Sequence, residues 1–410
     1  MSNRNNDLNM RFKGLIKDWQ TLKIGDVLTE KYRSIMIEDE KEYQLVTVKR
    51  RNEGVISRGY LKGKKILVKN YFEVEENDFI ISKRQIVHGA SGIVPKELDK
   101  AVVSNEYLVA TSNESISTEY LTLISKLPQM HKMFFLSSYG VDIEKMVFDI
   151  RDWKKRSITI PGITEQKSIV EYFQNIDKLI IQHQQKYIKL KTLKKAMLDK
   201  MFPKLGQLVP DVRFKGFAGA WTPILFKDLA GLRRGLTYSP SNVRNNSGVK
   251  VLRSSNIRDD QFIQRKDDVF VNAEAINIDF INENDILITA ANGSSRLVGK
   301  HAVVNKLICK AVHGGFMLLA STKNPYFLNA SMNTEWYIKF VNKYSAGGGG
   351  SIGNLKKGDL EEQVILVPTE DEQLKIGDYF KNLDALIGNQ EIQISKLENI
   401  KKAFLAKMFI

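Results

Sequence analysis

Cysteine, proline and histidine are scarce in this chain of 410 residues, which contains one, nine and five of them. The single Cys309 excludes a disulfide framework and a cysteine-rich metal site. The histidines, at positions 88, 131, 183, 301 and 313, show no i, i+4 pair of the kind that binds zinc. No apolar run reaches the ~18–20 residues needed to cross a bilayer, which excludes an integral membrane protein.

Positive charge is in excess, with 62 Lys and Arg against 47 Asp and Glu and a net charge of +15. Hydrophobic residues (43%) and charged residues (27%) occur in ordinary globular proportions, which excludes disorder throughout. The excess favours a polyanionic partner, usually nucleic acid, over a basic surface that serves solubility alone. The length predicts two to four domains, at ~100–200 residues each. The first residues contain no apolar signal core, and we expect a cytoplasmic protein.

No motif in the chain makes a convincing catalytic centre. The segment Gly293–His301 resembles a phosphate-binding loop, but five residues rather than four separate its glycines, and His301 stands where Ser or Thr would bind magnesium. Asn324–Tyr326 resembles part of an amino-methyltransferase motif but lacks the second proline. We expect Cys309 to be buried in a strand rather than to act as a nucleophile.

Residues 161–202 and 368–409 repeat one another without a gap. Nineteen of the 42 aligned positions are identical, and both copies end in Lys-Lys-Ala-x-Leu-x-Lys-Met-Phe. A fainter repeat joins Arg11–Gly14 to Arg213–Gly216, where the second copy is followed by Trp221. The chain is therefore a tandem of two units, each a variable globular domain followed by a nearly constant segment.

The two constant segments are predicted to be long helices. Each begins after a proline and has no proline inside it, and Thr369 and Glu372 have the spacing of a capping box. At 1.5 Å per residue each helix spans ~60 Å, too long to bury its apolar stripe in one small domain. We therefore expect the repeats to pack on each other, with His183 and Gln390 at equivalent positions that fix the register. The heptad columns contain Ile169, Phe173, Ile176, Ile180, Leu190 and Met197 in the first helix, and Ile376, Phe380, Leu383, Ile387, Leu397 and Phe404 in the second.

The variable segments, residues 12–158 and 214–365, read as mixed domains rich in short strands. Helical stretches are predicted at 117–127 and 334–344, and Gly347–Ser351 has the composition of a linker or flexible surface loop. The predicted strands are Tyr43–Val48, Lys65–Val68, Phe79–Ile81, Val102–Val103 and Leu108–Val109 in the first domain, and Val249–Leu252, Asp285–Thr289, Ala302–Val304 and Phe316–Ala320 in the second.

Basic and amide side chains cluster at the predicted turns of both variable domains. Arg and Lys can grip phosphates or read guanine, and Asn can read adenine. The candidate DNA-binding residues are Lys49, Arg50, Arg51, Lys62, Lys64, Lys83 and Arg84 in the first domain, and Arg233, Arg234, Arg244, Arg253, Ser255, Asn256, Arg258, Asn292, Ser294 and Arg296 in the second.

Two divergent domains that alternate with two near-identical helices, each opening with Pro-x-x-x-Glu-Gln, resemble the specificity subunit of Type I restriction–modification enzymes. The resemblance covers almost the whole chain. It implies an α+β fold, with two globular mixed α/β recognition domains in tandem pseudo-repeat, joined by two long helices that form an antiparallel coiled coil. The implied segments are target recognition domain 1 (residues 1–160), a central helical spacer (161–205), target recognition domain 2 (206–367) and a C-terminal helical spacer (368–410).

The same resemblance implies a non-catalytic DNA-recognition subunit. Each domain would bind one half of a split, asymmetric target in double-stranded DNA, and the helices would set the gap and dock two methyltransferase subunits. Motor–nuclease subunits would join them. The chain itself would bind no cofactor or metal, since S-adenosylmethionine, ATP and Mg would act in the partners, and no membrane would be involved.

Three other functions remain open on the sequence. One is a two-headed DNA-binding regulator that acts without an enzyme partner. Another is an RNA- or ribosome-associated scaffold, which would need aromatic stacking platforms that we do not identify. The third is a methyltransferase fused into the chain, which the absence of a glycine-rich cofactor loop argues against.

Overall fold

The computed structural model describes residues 19–67, 70–245, 247–345 and 353–408. The Arg11–Gly14 motif, the Gly347–Ser351 linker and Phe409 at the end of the second repeat lie outside the described residues. Across the described ranges, no helix is long and apolar enough to cross a membrane.

The chain forms two compact units, each of which includes parts of both repeats. Unit 1 contains residues as far as Gln182 together with those from Ile394 onward, and unit 2 extends from His183 to Gln393. The helices are α1 (Ile24–Val27), α2 (Thr118–Ile124), α3 (Pro128–Leu136), α4 (Ile150–Lys155), α5 (Ile163–Lys200), α6 (Phe226–Leu229), α7 (Pro325–Ser331), α8 (Glu335–Ser345), α9 (Lys357–Glu361) and α10 (Glu370–Met408).

The strands of unit 1 form two larger sheets and two short ribbons. One sheet has the order β2-β10-β7-β8 and the other β3-β6-β9-β4-β5, while β1 pairs with β13 and β11 with β12. The strands are β1 (Gln20–Lys23), β2 (Leu28–Glu30), β3 (Ser34–Ile35), β4 (Glu42–Val48), β5 (Val55–Lys62), β6 (Tyr71–Glu73), β7 (Phe79–Ser82), β8 (Ser91–Ile93), β9 (Val102–Ser104), β10 (Tyr107–Ser112), β11 (Ser138–Tyr139), β12 (Val147–Phe148) and β13 (Ser157–Ile160).

Unit 2 repeats the first of these sheets in the order β15-β25-β21-β23, and its second sheet has the order β16-β20-β17-β24. Short ribbons pair β14 with β27, β18 with β19, and β22 with β26. The strands are β14 (Thr222–Leu225), β15 (Gly231–Arg234), β16 (Val243–Arg244), β17 (Val249–Leu252), β18 (Ile257–Arg258), β19 (Gln261–Phe262), β20 (Val269–Val271), β21 (Ile286–Thr289), β22 (Ala291–Asn292), β23 (His301–Val303), β24 (Ala311–His313), β25 (Met317–Ser321), β26 (Gly353–Asn354) and β27 (Val364–Val367).

The central strands follow from their composition. Strands β7 and β21 each consist of three apolar residues and a final Ser or Thr, and every residue of both is buried, as expected for strands covered on two faces. The predicted strands and the two predicted helical stretches are confirmed, with one exception. Gly63–Lys65 forms a 3-10 turn and the next described residues form no strand, so the prediction for Lys65–Val68 was wrong. Cys309 is exposed in the loop between β23 and β24, which contradicts its predicted burial.

Helices α5 and α10 pack antiparallel in each unit, which confirms the predicted coiled coil. In unit 1 the ring centroids of Tyr172 and Phe404 lie 4.9 Å apart, and Lys401 Nζ lies 2.5 Å from Asp177 Oδ1. In unit 2 the equivalent residues of the repeats form the same kind of pair: Lys194 Nζ lies 2.6 Å from Asp384 Oδ1. His183 Nδ1 lies 2.7 Å from Gln390 Oε1. The described seam residues Ile169, Phe173, Ile176, Ile180, Ile376, Phe380, Leu383 and Ile387 are buried, and Leu190, Met197, Leu397 and Phe404 are half-buried.

The Pro-x-x-x-Glu-Gln motif fixes the start of each long helix. The amide nitrogen of Gln166 donates to the Pro161 carbonyl at 2.8 Å, and that of Gln373 donates to the Pro368 carbonyl at 3.0 Å. In unit 1 the side-chain oxygen of Gln166 also accepts a hydrogen bond from Ser117 N at 2.9 Å. Both glutamines are buried, so these bonds satisfy carbonyl and amide groups that would otherwise be costly to bury.

In α10 the glutamate of this motif, Glu372, binds an arginine and does not cap the helix. The Glu372 side chain is 1% exposed, and its two oxygens accept from the Arg213 guanidinium at 2.9 and 2.5 Å. The carboxylate thus holds the Arg213–Gly216 motif against the helix, and the predicted capping box with Thr369 was wrong. Trp221 packs close by, with its ring 5.7 Å from that of Phe202.

We predict that Arg213→Ala destabilises unit 2 by about 3–5 kcal/mol, because it leaves the Glu372 carboxylate buried without its partner. Native-state hydrogen exchange of the β21 amides measures this change, with the β7 amides of unit 1 as an internal reference. Lys204→Ala is the matched control: Lys204 pairs with Asp211 at 2.8 Å, both side chains are about half exposed, and its loss should cost less than about 1 kcal/mol. Unchanged β21 exchange in Arg213→Ala would contradict the assignment.

Candidate nucleic-acid interface

The turns that follow strands β4 and β7 meet in unit 1. The Arg50 guanidinium donates to the Gln85 side chain at 2.6 Å, which joins the Lys49–Arg51 turn to the Lys83–Gln85 turn. Both turns lie at the carboxyl ends of their strands, and this is why residues distant in sequence share one surface. We call this surface loop cluster 1; its cations are Lys49, Arg50, Arg51, Lys83 and Arg84.

Carboxylates partly neutralise loop cluster 1. Arg50 Nη2 lies 2.6 Å from Glu144, and Arg84 Nε lies 2.9 Å from Glu106. All four side chains are about half exposed, and such surface pairs contribute only about 0–1 kcal/mol, so a phosphate can replace the carboxylate at little cost. Partial burial lowers the pKa of Lys83 below its ordinary value.

Lys62 and Lys64 lie away from loop cluster 1. In the β4–β5 hairpin Lys62 pairs with Glu42, at the end of β4 opposite the Lys49 turn. Both lysines approach Glu40, at 3.8 and 3.4 Å. The structure therefore does not unite these two predicted DNA-binding residues with the others of their unit.

The corresponding turns of unit 2 line an open cavity of about 760 Å³, which we call groove 2. They follow β15, β17 and β21 and include the turn between β24 and β25. Groove 2 brings together the predicted DNA-binding residues Arg253, Ser255 and Asn292. Its other lining residues are Leu236, Thr237, Tyr238, Ser254, Ala291, Gly293, Gly314, Gly315, Phe316 and Met317.

Glycines shape the floor of groove 2. A Cβ added at Gly235 would lie 2.0 Å from the Gly314 carbonyl oxygen, so no other residue fits where the two backbones cross. The neighbouring Leu236 forms a parallel bridge to Gly314. Two residues further on, the large apolar ring of Phe316 is 71% exposed.

Asn256, another predicted DNA-binding residue, lies in the core and not in groove 2. Its side chain is completely buried: its amide donates to Asp268 at 2.7 Å and to the Ile263 carbonyl at 3.0 Å, and its oxygen accepts from Arg253 N at 2.8 Å. It therefore cannot reach a base edge, and it instead holds the turn that carries Arg253.

A buried ion pair beneath this turn was missed by sequence reasoning. Lys250 Nζ lies 3.2 Å from Asp268 Oδ2, and the side chains are 4% and 1% exposed. Removal of either partner would leave a buried charge unpaired, which costs several kcal/mol. The available signal was Lys250 itself, a charge inside the apolar run Val249–Leu252 of a strand.

Arg233 and Arg234 line a second, smaller cavity together with His313. Arg233 is held by Asp285 at 3.1 Å, whereas Arg234 is exposed. His313 is fully buried, its Nε2 donates to the Arg233 carbonyl at 3.2 Å, and burial lowers its pKa to about 4. The ring is therefore neutral near pH 7. No group of three or more His, Cys, Asp and Glu side chains that could hold a metal ion occurs in the described part of the chain.

The remaining predicted residues of unit 2 lie at its surface. Arg244 donates to backbone carbonyls of its own turn, at 2.8 and 3.0 Å. Arg258 lies 3.6 Å from Glu391 of α10, next to the helix pair rather than in groove 2. Ser294 and Arg296 are exposed in the turn that follows Asn292.

The helix pair has a second exposed surface, which repeats itself. Leu179 and its repeat equivalent Leu386 are 44% and 46% exposed, although both are large and apolar. Near each leucine an exposed asparagine is also identical in the two repeats: Asn175, one helical turn before Leu179, and Asn382, one turn before Leu386. The two helices therefore present the same pair of exposed side chains, once in each unit.

Comparison with known proteins identifies one family over most of the chain. The model of the Type I restriction modification DNA specificity domain matches residues 16–192 and again residues 219–399. The chain is 21% identical to the Type I restriction enzyme MjaVIII specificity subunit of Methanocaldococcus jannaschii, over 94% of this chain and 90% of that protein.

Solved structures share the fold. A Type I restriction–modification S subunit from M. genitalium superposes with a TM-score of 0.62 and 13% identity, over 98% of both chains. A chain from a study of complex assembly and conformational transition of the Type I R-M system gives a TM-score of 0.50 and 15% identity, over 97% of this chain and 99% of that one.

Proposed function

Because the chain belongs to the Type I restriction–modification specificity-subunit family, we propose that it selects the DNA sequence on which its methyltransferase and translocase–nuclease partners act. The observation that carries this proposal is the four-stranded sheet that the two units share, because its third strand, β7 or β21, leads into the loop surface of each unit. The net charge of +15 supports a DNA partner.

The target that we propose is bipartite and asymmetric. The turn after β4 reads Lys49-Arg50-Arg51, whereas the equivalent turn after β17 reads Arg253-Ser254-Ser255. Different side chains on the same scaffold select different base pairs, so the two half-sites differ in sequence. The helix pair sets the gap between them, and half-sites about one DNA turn apart, ~34 Å, would present the same face of the duplex.

We propose that the chain contributes recognition and no chemistry. Methyl transfer from S-adenosylmethionine belongs to the methyltransferase subunits, and ATP- and Mg-dependent translocation and cleavage belong to the motor–nuclease subunits. Since the complex acts on cellular DNA, we place it in the cytoplasm.

The repeated helix surface supports two docking sites for one kind of partner. Leu179 and Leu386 with their identical exposed neighbours form two copies of one patch, and two identical patches fit two copies of one methyltransferase subunit. Exposed apolar side chains bordered by polar ones are typical of protein–protein contacts.

The proposed function predicts a split methylation motif. The chain and the methyltransferase subunit encoded beside it, expressed in a host free of DNA methylation, should yield N6-methyladenine on both strands of a bipartite motif with a gap of fixed length. Sequencing that detects modified bases measures this. Methylation of a short continuous motif would refute the bipartite reading. A stable complex with no methylation would favour a DNA-binding regulator.

A second prediction concerns the docking patches. Leu179→Glu and Leu386→Glu should each remove one methyltransferase subunit from the complex, and the double variant should remove both, because each buries a charge in its own patch. Native mass spectrometry counts the subunits. Ile392→Glu is the control, since Ile392 is 62% exposed on the same helix and its repeat equivalent is Gln185. Equal losses in the control, or full complexes in the leucine variants, would contradict the proposal.

A further inference from the structure

Groove 2 contains an arginine whose guanidinium lies in no salt bridge with the described carboxylates. Arg253 is exposed and forms no ion pair with any residue that the structure describes. The nearby Asp267 carboxylate is engaged by Arg265, at 2.8 Å from Nε. Arg233 of the same unit, by contrast, is tied to the buried Asp285. An unpaired guanidinium at the edge of a cavity is available for a ligand that the protein itself does not supply.

The backbone beneath Arg253 is held rigidly. Arg253 N donates to Asn256 Oδ1 at 2.8 Å, and the Asn256 amide is anchored in turn on Asp268, which pairs with Lys250. The Arg253 side chain leaves this turn next to Gly314: a Cβ added to Gly314 would lie 3.7 Å from Arg253 Cγ. Because the turn is already fixed, binding through Arg253 orders only the side chain and not the backbone, which favours selective recognition.

Asn292, a second polar group of groove 2 suited to reading a base, is already engaged. Its amide nitrogen donates to Ser254 Oγ at 3.0 Å, and its oxygen accepts from Ser294 N at 2.9 Å. A bidentate contact with adenine needs both ends of the amide in one plane, so these internal bonds leave Asn292 as a support of the groove. Phe316, 71% exposed at the same cavity, is apolar and has no core to fill.

We propose that unit 2 reads a guanine through Arg253, which donates to its O6 and N7, and a thymine methyl group in a neighbouring base pair through Phe316. The inference rests on the proposed function, because it takes DNA as the ligand. It adds which side chains of unit 2 meet bases and which bases they select. An arginine fork matches the two acceptors of guanine in the major groove, and a phenylalanine ring matches the thymine methyl.

The test is selection from duplex DNA with randomised half-sites, using the complex of the chain with its methyltransferase subunits. Wild-type complex should select a motif in which one half-site contains a guanine and a neighbouring thymine. Arg253→Ala should lower the preference for that guanine roughly 5- to 150-fold and leave the other half-site unchanged. Phe316→Ala should relax the thymine position alone. Both side chains are exposed, so neither substitution removes core packing.

Arg234→Ala is the matched control, since Arg234 is exposed in the same unit but does not line groove 2. It should weaken binding equally for all sequences and preserve the motif. If Arg253→Ala behaves in the same way, Arg253 contacts phosphate and the proposal is wrong. Relaxation at a base pair other than G·C would also overturn it. A wild-type complex that selects no motif at all would instead refute the proposed function itself.

Discussion

The antiparallel contact between helices α5 and α10 is the interaction on which both units depend. In unit 1, Phe404 and Met408 of α10 complete a core that contains Ile169 and Phe173 of α5. In unit 2, the Met201–Phe202 segment that follows α5 packs with Phe380 of α10. Each globular part thus lacks a full core without the end of the helix from the other repeat. Buried side chains of this size stabilise by about 1.5–3 kcal/mol each, so the seam belongs to the fold itself.

This constraint explains why the helices stay nearly constant while the loops differ. An Asp and a Lys occupy the same repeat positions in each helix, and Lys194 with Asp384 and Lys401 with Asp177 make the same contact twice. A change in one helix would disturb both partners, whereas a change at the Lys49–Arg51 turn alters only a surface. The surface loops can therefore vary without cost to the core.

The repeat, the central strands and the helix seam were predictable because they depend on local periodicity. The positions and partners of individual polar side chains were not predictable, because contacts between residues distant in sequence determine them. Asn256 follows Ser254-Ser255 in a turn with the composition of a DNA-binding loop. Its side chain is nevertheless buried, because it donates a hydrogen bond to Asp268, twelve residues later. Glu372 has the spacing of a cap, but Arg213, distant in sequence, takes its carboxylate. Cys309 follows an apolar pair, Leu307–Ile308, yet lies in an exposed loop. Only the packed structure shows which arginines lack a carboxylate partner, and Arg253 is one of them.

A matched insertion tests most directly whether the helix pair sets the gap between the two proposed half-sites. The variant carries a second copy of residues 184–190, inserted after His183, and a second copy of residues 391–397, inserted after Gln390. Because His183 and Gln390 face each other, the two insertions lie at facing positions. Each adds one heptad, which lengthens its helix by ~10.5 Å and keeps the apolar seam in phase. Mapping of methylated adenine should then show both half-site sequences unchanged and a gap longer by up to about three base pairs, at ~3.4 Å per base pair. An unchanged gap, or altered half-sites, would contradict the account.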